Sequence, residues 1–348
     1  MSEEKKKAIE WYNPAKVLSY NRIWIFVMGN RSTGKTTSFI RLCINLWLKK
    51  KRKSIYVRRY ESEMDIVLKD GLFKDMHLFF PGHHFETKGY KGYCDGEVFM
   101  YMIPLSTAAR MKSVNYSDVD IIFFDEFIPD DMKFLGGSNN YYYEVNACLN
   151  LYQTVARGKD KPIRDDVRFI FSANAVSMAN PYFSFFDIDK RLYADTKFLK
   201  GDGYVVEQNR NESVAQELKD SQFGSLTKGT AYAKYAFDNK FLLDSNEFIE
   251  KMSGNCQYFC TIVFDNQKFG VFRDRKSDII YITEKYNDSC PLCFTFTNSD
   301  HKPNYLLLTS WRSDERIKFL RKCYDFGWVR FTSQRAKNAF LNCMEYVV

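Results

Sequence analysis

Short apolar runs alternate with amphipathic stretches along the first two hundred residues of the chain. Residues 22–28 (RIWIFVM) form an aromatic and β-branched run with polar neighbours, which is typical of a buried strand. In residues 36–50 the apolar side chains recur at helical spacing, so a helix is expected to follow this strand. Four more runs have the character of strands: 54–57, 98–103, 121–124 and 167–172. Strands that alternate with helices predict an α/β domain, a mostly parallel sheet with helices on both faces.

The pattern changes after residue 200. Residues 201–228 are mainly polar and carry Gly and Ser, which predicts a linker with a short helix. Beyond it, a meander of strands and two closing amphipathic helices are expected. The predicted strands are 258–264, 268–272 and 279–283, and the predicted helices are 313–325 and 333–344. The chain is therefore divided into an α/β domain over 1–200, the linker over 201–228 and a smaller α+β domain over 229–348.

The composition is that of a folded protein, because 45% of the 348 residues are hydrophobic and 27% are charged. No apolar run approaches the roughly 20 residues that cross a bilayer, and no signal-type apolar segment follows the basic start. We therefore expect neither a membrane-spanning nor a secreted protein. The nine cysteines are expected to be reduced thiols in a cytosol.

Positive charge is concentrated near the start of the chain. The first 60 residues contain 15 Lys and Arg but only three acidic residues, and none of the acidic residues lies within 11–60. Such a segment projects a positive field that suits phosphates, on a nucleotide or on a nucleic acid. The basic run at 49–53 taken alone is explained equally well as a solvated helix terminus that complements the helix dipole.

A glycine-bracketed loop follows the first predicted strand and opens the first long helix. Its sequence, GNRSTGKT, matches the phosphate-loop pattern G-x-x-x-x-G-K-[ST] at every fixed position. Backbone N–H groups of such a loop point at the β-phosphate, Lys35 neutralises phosphate oxygens, and the Thr36 hydroxyl can ligate Mg²⁺. The sequence thus predicts a site for ATP and Mg²⁺. The predicted nucleotide-binding residues of the loop are Gly29, Asn30, Arg31, Ser32, Thr33, Gly34, Lys35, Thr36 and Thr37.

Two carboxylates, Asp125 and Glu126, follow the apolar strand at 121–124. The carboxyl ends of parallel strands are where ligands bind in open α/β sheets. Asp125 is predicted to hold Mg²⁺ and Glu126 to polarise an attacking water, which is the division of labour that hydrolysis requires. The simpler alternative is an acidic pair that merely ends a strand at a turn.

Two further polar residues are candidates for the same chemistry. Asn174 ends another apolar strand, where a small polar side chain can hydrogen-bond a phosphate or a water. Arg157 ends a predicted helix and precedes a glycine, so it is expected to project from the surface. In a ring of subunits it can enter the neighbour's site, although a C-terminal arginine also complements a helix dipole. Arg58 and Arg59 are second candidates for such a role.

Several motifs together resemble the DNA-packaging (encapsidation) ATPases of small podophages. The likeness is specific over residues 11–186 and continues more faintly through DNKF (238–241) and FIEK (248–251). The motifs that carry it are WYNP (11–14), LSY (18–20), GNRSTGKT (29–36), YVRRY (56–60), IPLS (103–106), FDEF (124–127), EV (144–145), NAVS (174–177) and NPYF (180–183).

The resemblance implies a P-loop ATPase domain of the ASCE type in a homo-oligomeric ring, a pentamer. This ring is expected at the portal, or connector, of a procapsid in the host cytoplasm, where it moves double-stranded viral DNA by ATP hydrolysis. A packaging RNA is often a further partner, no membrane is involved, and the protein is expected to be absent from the mature virion.

Individual roles follow from the same resemblance, position by position. Lys35 and Thr36 match the Walker A lysine and hydroxyl, and Asp125 and Glu126 match the Walker B pair. Arg157 matches the arginine that acts in trans. Tyr12 and Asn13 fall where adenine contacts are expected.

The C-terminal part resembles the RNase H-like nuclease domain of the larger terminases. That nuclease depends on clustered carboxylates and two metals, whereas Asp265, Asp274 and Asp278 fall here at predicted turns or strand ends. We therefore expect a vestigial nuclease fold without cleavage, used to bind the RNA, the portal or DNA.

Four alternatives remain at this point. A zinc site on the cysteines at 256, 260, 290 and 293 has an unusual spacing in its first pair. A helicase or loader ATPase predicts strand separation, and a terminase-like enzyme predicts metal-dependent nicking of DNA. An assembly protein that binds nucleotide without turnover predicts no hydrolysis.

Overall fold

The structure, a computed structural model, describes residues 10–346 apart from short gaps. The gaps are 112–113, 132, 137–141, 159–161, 175–176, 179, 190, 193–195, 229, 231–247, 265 and 309–312. The chain forms two compact units that separate near residue 244. In the part of the chain that the structure describes, no helix is long and apolar enough to cross a membrane.

The larger unit is built on a nine-stranded sheet with the order β3-β4-β5-β2-β6-β7-β1-β9-β8. Strands β5, β2, β6, β7, β1 and β9 run parallel, and the strands at both edges are antiparallel. The strands are β1 (Trp24–Gly29), β2 (Lys53–Arg58), β3 (Phe85–Lys88), β4 (Lys91–Cys94), β5 (Glu97–Pro104), β6 (Val119–Asp125), β7 (Arg168–Asn174), β8 (Phe198–Lys200) and β9 (Tyr204–Asn209). The predicted parallel-rich sheet is thereby confirmed.

Helices cover both faces of this sheet. They are α1 (Ala15–Leu18), α2 (Lys35–Lys50), α3 (Glu61–Asp70), α4 (Tyr143–Val155), α5 (Pro181–Phe185), α6 (Glu212–Asp220) and α7 (Gln222–Thr227). One face packs Phe26 and Phe171 against α4 and α5, and the other packs Phe123 against Phe39 of α2. Adjacent residues of the central strands therefore enter different cores, which explains why β1 and residues 121–124 of β6 are apolar without interruption.

The strand β9 corrects the prediction of a linker over 201–228. Tyr204–Asn209 pairs in parallel with β1, so the strand lies inside the sheet, and only the part after residue 209 contains the expected short helix, followed by a second one. The sequence YVVEQN was misread because Glu207 and Gln208 are polar but buried. The polarity of Glu207 is satisfied by the Tyr12 hydroxyl, a partner that lies 195 residues away along the chain.

The smaller unit contains a six-stranded mixed sheet with the order β14-β13-β10-β11-β12-β15. Its strands are β10 (Cys256–Phe264), β11 (Gln267–Asp274), β12 (Ile280–Thr283), β13 (Cys293–Thr295), β14 (Leu306–Leu307) and β15 (Val329–Phe331). Two helices, α8 (Glu315–Asp325) and α9 (Gln334–Tyr346), bury Leu320 and Phe340 in the core. The predicted meander β10-β11-β12 and both helices are confirmed. The short strands β13 to β15 were not predicted, because two or three residues give no periodicity.

Candidate active site

The loop between β1 and α2 has the backbone that a phosphate cradle requires. Gly34 and Ser32 both have positive φ angles, 80° and 60°, which a glycine adopts freely and a serine adopts at a cost. Gly29 leaves no room for a side chain, since a Cβ atom there would lie 2.4 Å from the carbonyl oxygen of Asn209. Gly34 thus provides the backbone conformation that the loop requires, and Gly29 allows the backbone of Asn209 to pack closely against the loop.

Lys35 folds back over the loop instead of extending into solvent. Its Nζ donates to the carbonyl oxygens of Asn30 at 2.6 Å and Gly29 at 3.2 Å. The side chain is buried, and this burial lowers the pKa of Lys35 to about 8. A buried ammonium whose hydrogen bonds go to neutral oxygens, here two carbonyls and the Thr33 hydroxyl, has a strong preference for an anionic partner, which is the property that a phosphate site needs.

Thr36 and Asp125 bring an oxygen pair together at the base of the site. The Thr36 hydroxyl donates to both carboxylate oxygens of Asp125, at 3.1 and 3.0 Å, and the Tyr56 hydroxyl donates to Oδ2 at 3.2 Å. Burial raises the pKa of Asp125. A carboxylate beside a threonine hydroxyl at the end of a phosphate loop is a donor set that suits Mg²⁺.

Glu126 is exposed and has a left-handed backbone, with φ of 59°. A non-glycine residue in this region is strained, and such strain is concentrated at functional sites. Its Oε2 atom accepts from Nη2 of Arg58 at 2.5 Å, and Nη1 of Arg58 lies 3.7 Å from Oδ2 of Asp125. One guanidinium therefore spans both acidic side chains at the tip of β6.

The loop and the acidic tip share one open cavity of about 370 Å³. Its floor is the carboxyl edge of the parallel strands, where β6, β7 and β1 end side by side. The residues that line it are Arg31, Ser32, Thr33, Gly34, Lys35, Thr36, Thr37, Asp125, Glu126, Ser172, Ala173 and Asn174. The structure thus brings together most of the residues that the sequence predicted for the site, including Asn174.

The strand register shows one neighbour of the loop that sequence reasoning missed. Gly29 pairs with Asn174 on one side and with Asn209 on the other. The side-chain nitrogen of Asn209 is buried and has no hydrogen-bond partner. The sequence signal was weak, since the apolar run at 204–206 is followed by Glu207 and Gln208 before Asn209, and the assignment of 201–228 as a linker concealed it.

Tyr12 and Asn13, the residues matched to adenine contacts, are engaged in local structure. Tyr12 is buried, its hydroxyl donates to Oε2 of Glu207 at 2.8 Å, and its ring packs on Phe39. Asn13 accepts from the backbone N–H of Ala15 at the start of α1. The ring exposed beside the loop belongs instead to Trp11, which is 60% exposed and packs against Gly34.

The substitution Tyr12→Phe is expected to lower stability more than it affects catalysis. It leaves the buried Glu207 without its hydroxyl donor, which costs about 1–3 kcal/mol of unfolding free energy. Urea denaturation and the KM for ATP measure the two effects. Tyr143→Phe, at a residue that is 46% exposed, is the matched control and should leave both values unchanged. A raised KM with unchanged stability would instead assign Tyr12 to the nucleotide.

The three candidate arginines lie in different settings. Arg59 is buried and bound to Glu144 of its own chain, which excludes it as a residue that acts in a neighbour's site. Arg157 is exposed just beyond α4. That end of α4 lies beside the start of β6, because Arg164 donates to the carbonyls of both Val155 and Val119. Arg157 is therefore at the edge of the sheet opposite its own phosphate loop.

Comparison with known proteins identifies the family. The sequence matches the Podovirus DNA encapsidation protein (Gp16) family over residues 6–345. The chain belongs to this family. It is 35% identical over 332 residues to the DNA packaging protein of Bacillus phage phi29, a match that covers 94% of this chain and 95% of that protein. The resemblance to podophage packaging proteins that the motifs indicated is thereby confirmed.

Solved structures agree with this assignment. The fold is similar to a chain of the bacteriophage phi29 viral genome packaging motor assembly, with a TM-score of 0.76 and 34% identity over 97% of this chain and 99% of that chain. A second match is the N-terminal domain of the DNA packaging ATPase from bacteriophage phi29. It has 39% identity and a TM-score of 0.50, and it covers 58% of this chain and 97% of that domain. The chain is therefore related to the DNA packaging ATPase of bacteriophage phi29.

Proposed function

We propose that this protein is an ATPase that drives double-stranded viral DNA into a procapsid. The observation that carries the proposal is the single cavity shared by the phosphate loop and the acidic tip of β6. A nucleotide-binding assembly protein needs the loop, but it has no use for a strained, exposed carboxylate opposite the loop. Membership in a DNA encapsidation family supports DNA as the substrate of this proposal.

Each residue of the cavity has a distinct part in hydrolysis. The Lys35 ammonium neutralises phosphate oxygens and withdraws charge as the bond to the leaving group breaks. Thr36 and Asp125 would hold Mg²⁺, which supplies charge neutralisation at the phosphates when it is bound. Glu126 orients the attacking water and accepts its proton, and Asn174 can hydrogen-bond the same water or the terminal phosphate. Arg58 competes with that water for the Glu126 carboxylate.

Arg157 is proposed to complete the site of the adjacent subunit in a homo-oligomeric ring, a pentamer. Its position at the edge opposite its own loop is unsuitable for action in cis but suits a head-to-tail ring, in which that edge faces the next cavity. The ring is proposed to act at the portal of the procapsid in the host cytoplasm, together with a packaging RNA, and to be absent from the mature virion.

The ATPase rate, measured with and without long duplex DNA, tests this function. Duplex DNA is expected to stimulate turnover, with a steep dependence on salt because the contacts are to phosphates. Stimulation by single strands together with strand separation would favour a helicase, and the absence of any turnover would reject the ATPase.

Mixtures of wild type with Arg157→Ala test the shared site. One mutant subunit disables its neighbour's cavity, so turnover should fall more steeply than the mutant fraction if firing is coordinated around the ring. Arg41→Ala, which removes an exposed arginine of α2 outside the cavity, is the matched control. A fall in simple proportion to the mutant fraction would contradict a coordinated site at subunit boundaries.

The smaller unit is proposed to be an RNase H-like domain that binds the RNA, the portal or DNA without cutting. Its strand order supports this fold, with three antiparallel strands, β10 to β12, and then β13 and β14 added in parallel on the other side of β10. The neighbouring strands β10 and β13 contain no carboxylate (CQYFCTIVF and CFT), and Asp265 lies outside the described residues. Cys260 and Cys293 are buried in these strands. Mg²⁺- or Mn²⁺-dependent nicking of plasmid DNA by the full chain would overturn the assignment.

A further inference from the structure

A buried ionic cluster lies directly behind the acidic tip of β6. Arg59, which is 2% exposed, and Glu144 of α4, which is 0% exposed, form its centre. The guanidinium donates in a bidentate manner, Nε to Oε2 at 2.8 Å and Nη2 to Oε1 at 2.9 Å. The Tyr182 hydroxyl donates to Oε1 at 2.7 Å and the backbone N–H of Leu135 donates to Oε2 at 2.7 Å. Among the described residues, this carboxylate is thus bound by four hydrogen bonds from groups of the same chain.

The outer edge of the same guanidinium donates hydrogen bonds to the backbone at Glu126 and Phe127. Nη1 donates to the carbonyl oxygen of Glu126 at 3.3 Å, and Nη2 donates to that of Phe127 at 2.7 Å. On its other side this backbone is held by the Phe127 N–H, which donates to the carbonyl of Ser172. The left-handed conformation of Glu126 is therefore fixed from two sides, as a strained residue requires.

We propose that Arg59 is a positioning residue, held in place by Glu144 and Tyr182, which aims the Glu126 carboxylate into the cavity. This inference rests on the proposed function, because it assigns Glu126 a reacting water. The two neighbouring arginines then have different roles, since Arg58 contacts the Glu126 side chain and Arg59 contacts the Glu126 backbone. Only a planar fork can reach a carboxylate and two carbonyls at once, so lysine cannot replace Arg59.

The test variant is Arg59→Lys, which keeps the positive charge beside Glu144 and removes the fork. Released from Arg59, the backbone at Glu126 can relax toward an ordinary φ and carry the carboxylate away. A misplacement of about 1 Å costs roughly a hundredfold in rate, so we expect kcat to fall about 10- to 100-fold. The dissociation constant for ATP should remain within about twofold, because the loop residues that hold the phosphates are unchanged.

Repeating the substitution in a Glu126→Gln protein distinguishes a positioning role of Arg59 from general destabilisation of the fold. In Glu126→Gln the aimed carboxylate is already gone, so Arg59→Lys should slow the residual single-turnover rate by less than about twofold. The control is Arg52→Lys, which removes a partly buried guanidinium whose Nε and Nη2 both donate to Oδ1 of Asp120, near the opposite ends of β2 and β6. It should leave kcat within about twofold of the wild-type value.

Tyr182→Phe provides an independent variant if Arg59→Lys does not fold. It removes one hydrogen bond to Glu144 and keeps the Arg59 guanidinium. We therefore expect a smaller fall in kcat, about two- to fivefold, and no fall in the single-turnover rate of the Glu126→Gln protein. The inference is overturned if a folded variant turns over at the wild-type rate, or if it slows both backgrounds by the same factor. A wild-type protein without any turnover would overturn the proposed function as well.

Discussion

Glu126→Gln is expected to hydrolyse ATP at about a thousandth of the wild-type rate while it binds ATP with nearly unchanged affinity. Loss of a positioned general base costs roughly 10² to 10⁴ in rate. Glutamine has the same shape as glutamate and can still accept a hydrogen bond from Arg58, so the shape of the cavity should not change. Single-turnover hydrolysis and equilibrium binding of a fluorescent nucleotide measure the two quantities separately.

The control for this prediction is Asp131→Asn. Asp131 lies five residues further along, is 57% exposed and contacts Lys133 outside the cavity, so turnover should not change. If Glu126→Gln retained more than about a tenth of the wild-type rate, the base would have to be sought elsewhere in the cavity.

Lys35→Ala is expected to weaken nucleotide binding by orders of magnitude without unfolding the protein. Charge-assisted hydrogen bonds to phosphate are worth about 1.5–3 kcal/mol each, so the loss of two weakens affinity by roughly 10² to 10⁴. The fold should tolerate the change because it removes a buried charge whose hydrogen bonds go to neutral oxygens. Calorimetric titration with ADP and a thermal unfolding curve check both parts.

Lys50→Ala is the matched control, because this exposed lysine ends the same helix that Lys35 begins. Affinity for ADP should be unaffected. An unfolded Lys35→Ala protein would show instead that the ammonium mainly supports the loop through its carbonyl contacts.

The parts of the site that sequence could predict are those encoded within a few residues of each other. The loop at 29–36 can be recognised in the sequence because the predicted strand, the glycines, the lysine and the predicted helix follow one another without interruption. The acidic pair at 125–126 was recognised for the same reason, since an apolar strand precedes it directly. In both places the residues that determine the local structure are adjacent in the sequence, so the sequence pattern alone is sufficient to predict it.

The parts that escaped prediction depend on partners distant in sequence. Glu207 looks like a surface residue until Tyr12 is placed beside it, and Arg59 looks like a free surface arginine until Glu144 is found 85 residues later. Buried polar groups require such partners, but a single sequence does not indicate which residues pair. The adenine assignment to Tyr12 also depended on position alone and could not reveal that the ring is buried.

The central position of β1 has a consequence for synthesis of the protein. Its two neighbours are β7 and β9, so the strand WIFVMG has no partner until residue 174 has been made and lacks its second partner until residue 209. At bacterial elongation rates of about 5–20 residues per second, that delay lasts on the order of ten to forty seconds. During this time an apolar strand with at least one open edge is prone to aggregation. We therefore expect the nascent chain to recruit chaperones and to acquire nucleotide affinity only after β9 emerges from the ribosome.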